Sequence, residues 1–433
     1  MRKFLMLALT VVVAFSVSPF AQGAGFLVYE HGAAAMAMGG AFVGLANDPS
    51  AVFHNPAGIA FLDGTQISAG ITLITADASV RLPNWPDPAF QTVDQEAQWF
   101  SPPTLYIAHK LNEKIAVGFG FFVPYGLGVK WPEDYPLRYL ATEDDMKTLF
   151  FNPVVAYKVS DNFSVGAGVF YVHSTLSFSL NEILVFSMVP FISYDVPATL
   201  DASGNGFGFN AGALYKGEGY SVGVNFRSGF KIKYEDGELK LNLSQIPLSP
   251  IASLDGTAST EFNFPHILGI GGAFNLTEDL LLTADVHYVL WSSFDEFKVE
   301  VTVPGIEQIY PPGIEDKEVE ENWENSFVFR GGLQYQFSES FALRAGFLYD
   351  QTPQPVETMD PILPDADRWA ITGGFGYKSG GFVLDAAFQY EVFSERTSPN
   401  RDILIYQVGP LNLGEGTYSN TAYLIGISIG YNF

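Results

Sequence analysis

Five basic residues fall on the less apolar side of segments in which apolar and polar residues alternate. They are Arg227, Lys231, Arg330, Arg344 and Lys378. If these segments are strands of a closed barrel, the basic side chains face its interior, where an unpaired charge is costly. Acidic residues at interior positions could neutralise them as a structural ladder, namely Asp285, Asp350, Asp385 and Glu391. The alternative is that Arg227 and Arg330, at mid-strand depth, stay free to bind a carboxylate by charge-assisted hydrogen bonds.

The sequence contains no arrangement that indicates catalysis or a metal site. None of its histidines lies in a G-x-S-x-G or other nucleophile motif. No group of histidines and carboxylates has the spacing of metal ligands. The chain has no cysteine, which excludes disulfides and thiolate chemistry. We therefore predict a protein that binds or transports its ligand without a cofactor and is not an enzyme.

The strands that carry these residues are predicted to face lipid on one side. In the segment 420–433 one face is apolar, whereas the other face is mostly small and polar. The apolar face consists of Tyr423, Ile425, Ile427, Ile429, Tyr431 and Phe433. Such a strand presents lipid with one side and a filled or wet interior with the other. Its aromatic terminal residue resembles the end of the closing strand in outer-membrane barrels.

About fourteen alternating segments follow one another from Thr65 onward, and short turns alternate with long connections between them. A barrel needs this alternation, and its closure removes the sheet edges that hydrocarbon would not tolerate. A soluble sandwich would rarely contain 38 Phe and 21 Tyr. The predicted fold class is an all-β membrane protein. It would be a closed antiparallel transmembrane β-barrel of about fourteen strands, with an N-terminal plug (hatch) of short helices.

The N-terminus predicts export. Arg2 and Lys3 precede an apolar run, and Ala21-Gln22-Gly23 provides the small residues that signal peptidase requires. The predicted domains are a signal peptide at 1–23, a hatch inside the barrel at 24–62, and the barrel itself at 63–433. The formal net charge of −25 argues against nucleic acid as a partner.

The predicted hatch does not alternate and is rich in small residues, so it can pack closely within a wide lumen. Its features, in order, are Ala24-Gly25-Phe26, the Gly/Ala-rich run Gly32–Gly44, Asp48 and Asn55-Pro56-Ala57. In these features the chain resembles the N-terminal hatch of the FadL family of long-chain fatty acid transporters. The strand count and the closing Phe433 extend this resemblance over essentially the whole mature chain.

The resemblance implies a hatch that plugs the lumen and a substrate that leaves sideways through the barrel wall near strand three. There Gly118, Gly120 and Pro124 would form a lateral gate. Proline has no N–H group to donate to the β-ladder, and glycine has no side chain that could pack against a neighbour. A crowded barrel interior would equally explain these glycines. Phe26 would line the substrate pocket. Asn55-Pro56-Ala57 would be either a rigid corner that pins the hatch to the wall or an ordinary turn.

Two connections, after strands five and seven, carry apolar residues where water is expected. Such loops often pack against each other, but an apolar groove at the outer mouth would collect a lipid. In the resembled family the connections at these positions form such a groove. The residues predicted to line it are Leu184, Phe186, Met188, Phe191, Leu243 and Ile246.

The expected function is passive transport of long-chain fatty acids or similar hydrophobic molecules across the bacterial outer membrane. The ligand would be captured in the groove, gated by the hatch and released laterally. Expected partners are this ligand, outer-membrane lipid and lipopolysaccharide, and the protein is expected to be a monomer. An aromatic-hydrocarbon channel of the same family is the alternative. A general porin, which should lack a hatch, or a structural or adhesive barrel would belong to a different class.

Overall fold

The computed structural model describes residues 25–188, 191–247, 249, 251–306, 316–399, 402–405, 409–412 and 415–433. For residues 184–192 and 402–412 this description does not extend to the side chains. The predicted signal peptide, 1–23, lies outside the described residues. In the part of the chain that is described, no helix has the length and apolar character needed to cross a membrane.

Fourteen antiparallel strands form one closed barrel. In chain order they are strand 1 Thr65–Arg81, strand 2 Pro103–Lys110, strand 3 Ile115–Phe122 with Gly126–Lys130, strand 4 Glu143–Lys158, strand 5 Phe163–Met188, strand 6 Phe191–Gly217, strand 7 Tyr220–Arg227 with Phe230–Asn242, strand 8 Ser253–Phe264 with His266–Asn275, strand 9 Leu280–Leu290 with Glu296–Thr302, strand 10 Ser326–Ser338, strand 11 Phe341–Asp350, strand 12 Arg368–Ser379, strand 13 Phe382–Phe393 with Arg396–Ser398, and strand 14 Gly416–Asn432. Strand 1 pairs with strand 14, from Gln66 opposite Asn432 to Arg81 opposite Thr417. This closure confirms the predicted fold class.

The remaining elements are short. Helices span Ala33–Met36 and Ala51–His54, and 3-10 turns span Pro56–Phe61, Pro88–Phe90 and Trp291–Ser293. Additional strands in the connections are Thr92–Asp94, Lys317–Glu320, Asp402–Ile405 and Gly409–Asn412. The turn at Pro56 begins after Asn55, whose side chain accepts the Ala57 N–H, and a proline suits the first position of a helix.

The outer face of the barrel is apolar. In strand 14, Tyr423, Ile425, Ile427 and Ile429 are each about two-fifths exposed, whereas the intervening Gly426 is buried. Exposed apolar side chains on alternate residues of a closed barrel belong against acyl chains. The alternation in this strand is the one that its sequence predicts.

Strand 7 differs from the prediction because its side-chain register changes at Ser228-Gly229. Arg227 is buried on the inner side, but Lys231 beyond the break is exposed and forms an ion pair with Glu261. The placement of Lys231 in the lumen was therefore wrong. At the break, Ser228 Oγ accepts the Phe209 N–H at 2.9 Å, and His266 Nδ1 accepts the Gly229 N–H at 2.8 Å. These side chains bond to backbone groups that a regular ladder would pair. The side chains of strand 7 can therefore change faces at this point.

Several predicted long connections are largely strand. Strands 5 and 6 continue to Met188 and Phe191, so most of the predicted loop 178–205 is a hairpin that extends beyond the barrel. Likewise, Gly237 to Asn242 of strand 7 pair with Ser253 to Ala258 of strand 8.

Residues 25–62 pack against glycines of the inner barrel wall. A Cβ atom added at any of these glycines would lie under 3.0 Å from an atom of residues 25–62. They are Gly166, Gly212, Gly223, Gly332, Gly346, Gly374 and Gly426. The wall therefore lacks side chains where the N-terminal segment approaches it, and this close fit is a packing requirement.

Gly332→Ala is expected to lower the free energy of unfolding by about 1–3 kcal/mol, because overpacking forces the segment to move. The added Cβ would meet Met38 Cβ at 2.5 Å and Met38 O at 2.6 Å. The matched control is Gly331→Ala, whose Cβ would meet only Thr283 O at 3.9 Å. Denaturant unfolding of both variants in detergent micelles tests the fit. Equal losses would show that the neighbouring segment does not constrain Gly332.

Candidate functional site

The N-terminal segment pairs with the barrel wall at a break in strand 3. The Val28 N–H donates to Pro124 O at 2.8 Å, and the Gly126 N–H donates to Phe26 O at 3.0 Å. Leu27 and Tyr125 face each other across this short antiparallel bridge. The break spans residues 123–125, and Pro124 has no N–H for a ladder. The N-terminal segment thus takes hydrogen bonds at the one place where strand 3 is discontinuous.

Gly118 and Gly120 lie on strand 3 before the break. A Cβ at either position would approach Val52 at 2.9 Å. These glycines therefore accommodate a close-packed interior. Of the three predicted gate residues, only Pro124 lies at the interruption of the ladder. Gly118 and Gly120 lie in the continuous part of strand 3 and face Val52 of residues 25–62.

The Phe26 side chain is enclosed by five aromatic rings of the barrel and its connections. Ring centroids lie 4.9 Å away for Trp291, 5.3 Å for Phe294, 5.5 Å for Phe264, 5.6 Å for Trp323 and 6.1 Å for Tyr125. Phe26 is 3% exposed. We call the five surrounding rings the aromatic box. Phe26 fills it completely, so a ligand can occupy the box only after Phe26 has left.

Arg227 is a buried cation that forms no ion pair with any acid among the described residues. One terminal nitrogen donates to Phe53 O at 3.0 Å, and the other, Nη1, has no described hydrogen-bond partner. Its guanidinium carbon lies over the rings of Phe53, Phe122 and Phe170 at 4.8–5.7 Å. Aromatic faces offset only part of the cost of burying a cation. An anion that reaches Nη1 would complete its hydrogen bonding.

Arg330 is also buried and forms no ion pair with a described acid, but residues 25–62 contact it through one nitrogen and leave Nε and Nη2 without a described partner. It donates to Gly39 O at 3.0 Å, and its guanidinium carbon lies 4.2 Å from the centroid of the Tyr29 ring. Asp285, its register partner, accepts the N–H groups of Phe42 at 2.6 Å and Val43 at 2.7 Å. Arg330 and Asp285 thus hold the N-terminal segment to strands 9 and 10.

Two further arginines of the interior form ion pairs. Arg344 contacts Asp385 at 2.6 Å, while Arg368 contacts Asp350 at 2.9 Å and Glu391 at 3.0 Å. Lys378 shares the inner face of strand 12 but is exposed near its end. The ladder interpretation is therefore correct for these acids, with Arg368 as a cation that the sequence analysis did not select. Its place in the first position of strand 12 gave no periodic signal.

Two histidines of the N-terminal segment stay neutral near these guanidinium groups. Burial, above all, lowers the pKa of His54 to about 3 and holds the pKa of His31 well below its usual range. His54 Nε2 contacts His31 O at 2.9 Å, so it is the protonated ring nitrogen. Neutral histidines add no positive charge beside Arg227. Among the described residues they belong to no cluster that could hold a metal ion.

Comparison with known proteins identifies the architecture. The family model described as outer membrane protein transport protein (OMPP1/FadL/TodX) matches residues 14–433. The chain belongs to this family. Members of the FadL family are transport channels of the outer membrane for hydrophobic compounds and are not enzymes, so the predicted location and the absence of catalysis are confirmed.

Relatives of this FadL-family chain extend over its whole length. The long-chain fatty acid transport protein of Salmonella typhi is 24% identical, and the comparison covers 98% of each chain. A FadL homologue of Pseudomonas aeruginosa has a similar structure, with TM-score 0.77, 22% identity and coverage of 95% of this chain and 100% of that one. The toluene transporter TodX of Pseudomonas putida gives TM-score 0.70 and 18% identity, over 94% and 99%. The structural likenesses show a shared fold.

Asn55-Pro56-Ala57 links the N-terminal segment of this FadL-family barrel to its wall. Asn55 Nδ2 donates to Val43 O at 2.9 Å and to Ala213 O at 3.1 Å, and Asn55 Oδ1 accepts the Ala57 N–H. Ser164 Oγ of strand 5 donates to Ala57 O at 2.9 Å. One amide therefore joins two parts of residues 25–62 to strand 6, which is the arrangement of a corner fixed at both sides.

The outer end of the barrel carries a closed apolar cluster. Leu243 is fully buried and Ile246 is 8% exposed, among residues such as Leu200, Leu241 and Val303. As packed, they line no open groove. Leu184, Phe186, Met188 and Phe191 are placed by backbone in the hairpin of strands 5 and 6, and their side chains lie outside the described residues.

Asp365, in the connection between strands 11 and 12, contacts the start of the N-terminal segment. Its carboxylate accepts a hydrogen bond from Thr352 Oγ1, and the Gly25 N–H lies on the side of the carboxylate. Burial raises the pKa of Asp365 to about 7, although both groups favour the ionised form. The buried position of Asp365 therefore favours the protonated carboxyl.

We expect the free energy of unfolding to fall between about pH 4 and pH 7, because a raised native pKa means that the unfolded chain releases the proton first. Stability from Asp365 is present at acidic pH and is lost as the pH rises through the native pKa. The difference in unfolding free energy between the parent and Asp365→Asn should change between pH 5 and pH 8. A constant difference would show that Asp365 does not titrate there.

Proposed function

We propose that the barrel carries long-chain fatty acids, or molecules of similar chemistry, passively across the outer membrane. The observation that supports this substrate class is Arg227. It is a buried guanidinium with one unpartnered nitrogen, it forms no ion pair with a described acid, and phenylalanine rings surround it. A fatty acid fits both features of this site. Its carboxylate can accept a hydrogen bond from Nη1, and its acyl chain can pack against the rings.

Gating by the N-terminal segment is part of this proposal. Phe26 occupies the aromatic box, and the backbone groups of Phe26 and Val28 form two hydrogen bonds with the broken part of strand 3. Withdrawal of Gly25 to Val28 would empty the box and leave the ladder at Pro124 unpaired. The substrate would then pass sideways into the bilayer, where an acyl chain is soluble.

An aromatic hydrocarbon is the second candidate substrate, and the aromatic box favours it. The relatives' names point both ways, because one is a fatty acid transport protein and another a toluene transporter. A neutral arene would have no use for Arg227.

Uptake into proteoliposomes tests the proposal with oleate, toluene and a small sugar. Transport of oleate but not of sugar is the expected result. Toluene uptake without oleate uptake would favour the hydrocarbon channel. Rapid sugar uptake would indicate a general porin, and the absence of any uptake would leave a structural barrel.

A further inference from the structure

We propose that the preferred ligand carries an aromatic ring and an anionic group on the same molecule, as an arylalkanoate does. This inference rests on the proposed function and specifies its substrate class. It depends on two sites that a row of packed rings connects, the aromatic box around Phe26 and the Nη1 atom of Arg227, which has no described partner.

The first step concerns the geometry of the box. The Phe26 ring meets Phe264 at 82°, Trp291 at 76° and Phe294 at 73°, which are edge-to-face contacts. Edge-to-face pairs are attractive because the positive edge of one ring meets the negative face of another. An arene that displaces Phe26 restores these contacts, whereas a saturated chain of equal size restores only the apolar burial.

The second step is that the box is filled by Phe26, from the start of the described residues. Phe26 belongs to the described N-terminal end of the chain, while the box rings belong to the barrel and its connections. Gly25 lies flat on the box, since a Cβ there would meet a Trp291 ring carbon at 2.6 Å, and its φ is +58°. The segment thus occupies the box with one benzyl group, as a ligand would. A ligand that takes its place should match the shape and aromatic character of the Phe26 ring.

The third step connects the box to the cation. Phe264 of the box stacks on Phe230 at 4.4 Å, and Phe230 lies 5.6 Å from Phe170. The guanidinium of Arg227 lies 5.7 Å from the Phe170 ring. A continuous row of three rings therefore leads from the box to Arg227, and it provides an apolar path for the alkyl linker between an arene and a carboxylate.

Three twelve-carbon ligands separate the contributions in the full mature protein in lipid nanodiscs. They are 6-phenylhexanoate, dodecanoate and hexylbenzene, and quenching of Trp291 and Trp323 reports occupancy of the box. We expect 6-phenylhexanoate to bind about tenfold more tightly than dodecanoate, because of the restored edge-to-face contacts. Arg227→Met should weaken both acids and leave hexylbenzene unchanged.

Phe264→Leu should remove the preference for the aryl acid, and Phe294→Leu serves the same purpose if the first variant does not fold. Dodecanoate binding that equals or exceeds 6-phenylhexanoate binding in the parent would overturn the inference while leaving fatty acid transport intact. If neither acid binds or is transported, the proposed function fails as well.

Discussion

Arg227→Met is expected to weaken oleate binding by about tenfold to a hundredfold, the loss that follows when one charge-assisted hydrogen bond is removed. Binding of methyl oleate should remain unchanged, because the ester carries no charge. Methionine keeps the length and apolar stem of the side chain. Ligand titration of the purified protein in nanodiscs measures both affinities. An equal loss for acid and ester would show that Arg227 supports the fold of the pocket and not the carboxylate.

The effect on stability distinguishes Arg227 from the structural cations. Arg227 forms no ion pair with a described acid, so its replacement leaves none of these carboxylates unpaired, and the free energy of unfolding should be unchanged or higher. Arg368→Met is the matched control, since it would leave Asp350 and Glu391 buried without their cation. We expect that variant to lose about 3–5 kcal/mol. Similar losses in the two variants would contradict the assignment of Arg227 as a free cation.

A disulfide between positions 27 and 125 is expected to reduce oleate uptake to the rate of protein-free liposomes. The two residues form a bridge whose hydrogen bonds flank them, at 2.8 and 3.0 Å. Such a non-hydrogen-bonded pair has Cα atoms about 4.5 Å apart, within the range of a disulfide. The parent chain has no cysteine. Leu27→Cys with Tyr125→Cys therefore introduces a single disulfide that holds the N-terminal segment at Pro124.

Reduction of this disulfide should restore uptake in the same preparation. The single variants, oxidised in parallel, control for the loss of each side chain. A second bridge, Ile74 with Phe100, offers a cross-link between two barrel segments that leaves the backbone of residues 25–62 unlinked, although its side chains share a buried cluster with Val28. The Ile74→Cys with Phe100→Cys variant should transport at the same rate when oxidised and when reduced. Undiminished uptake by the oxidised 27–125 variant would rule out gating by this segment.

The fold class could be predicted because every second residue of a barrel strand faces the interior, so that apolar and small or polar residues alternate along the strand. Strand 14 shows this directly, since its apolar residues face outward along the whole segment. The change of register in strand 7 was not predictable from alternation alone. It depends on Ser228 and His266, whose side chains replace backbone partners that lie far apart in sequence.

The site was predictable only in part, for a similar reason. Arg227 follows from its position in an alternating segment, but its lack of an acidic partner depends on which side chains meet in space. Trp291 and Phe294 were missed because they lie between the two segments of strand 9, and Trp323 because it lies just before strand 10, all outside any periodic pattern. Phe26 was selected from the resemblance, and no periodicity places it among their rings.

In the proposed mechanism, residues 25–28 close the lumen at the break in strand 3 until a ligand displaces them. Leu27 is 4% exposed, and Leu27→Cys would provide the only thiol in the chain. The most direct measurement is the rate at which a water-soluble maleimide labels this thiol in nanodiscs, with and without oleate. The predicted result is slow labelling that accelerates when oleate is added. Labelling that is fast without ligand, or unchanged by it, would contradict the claim.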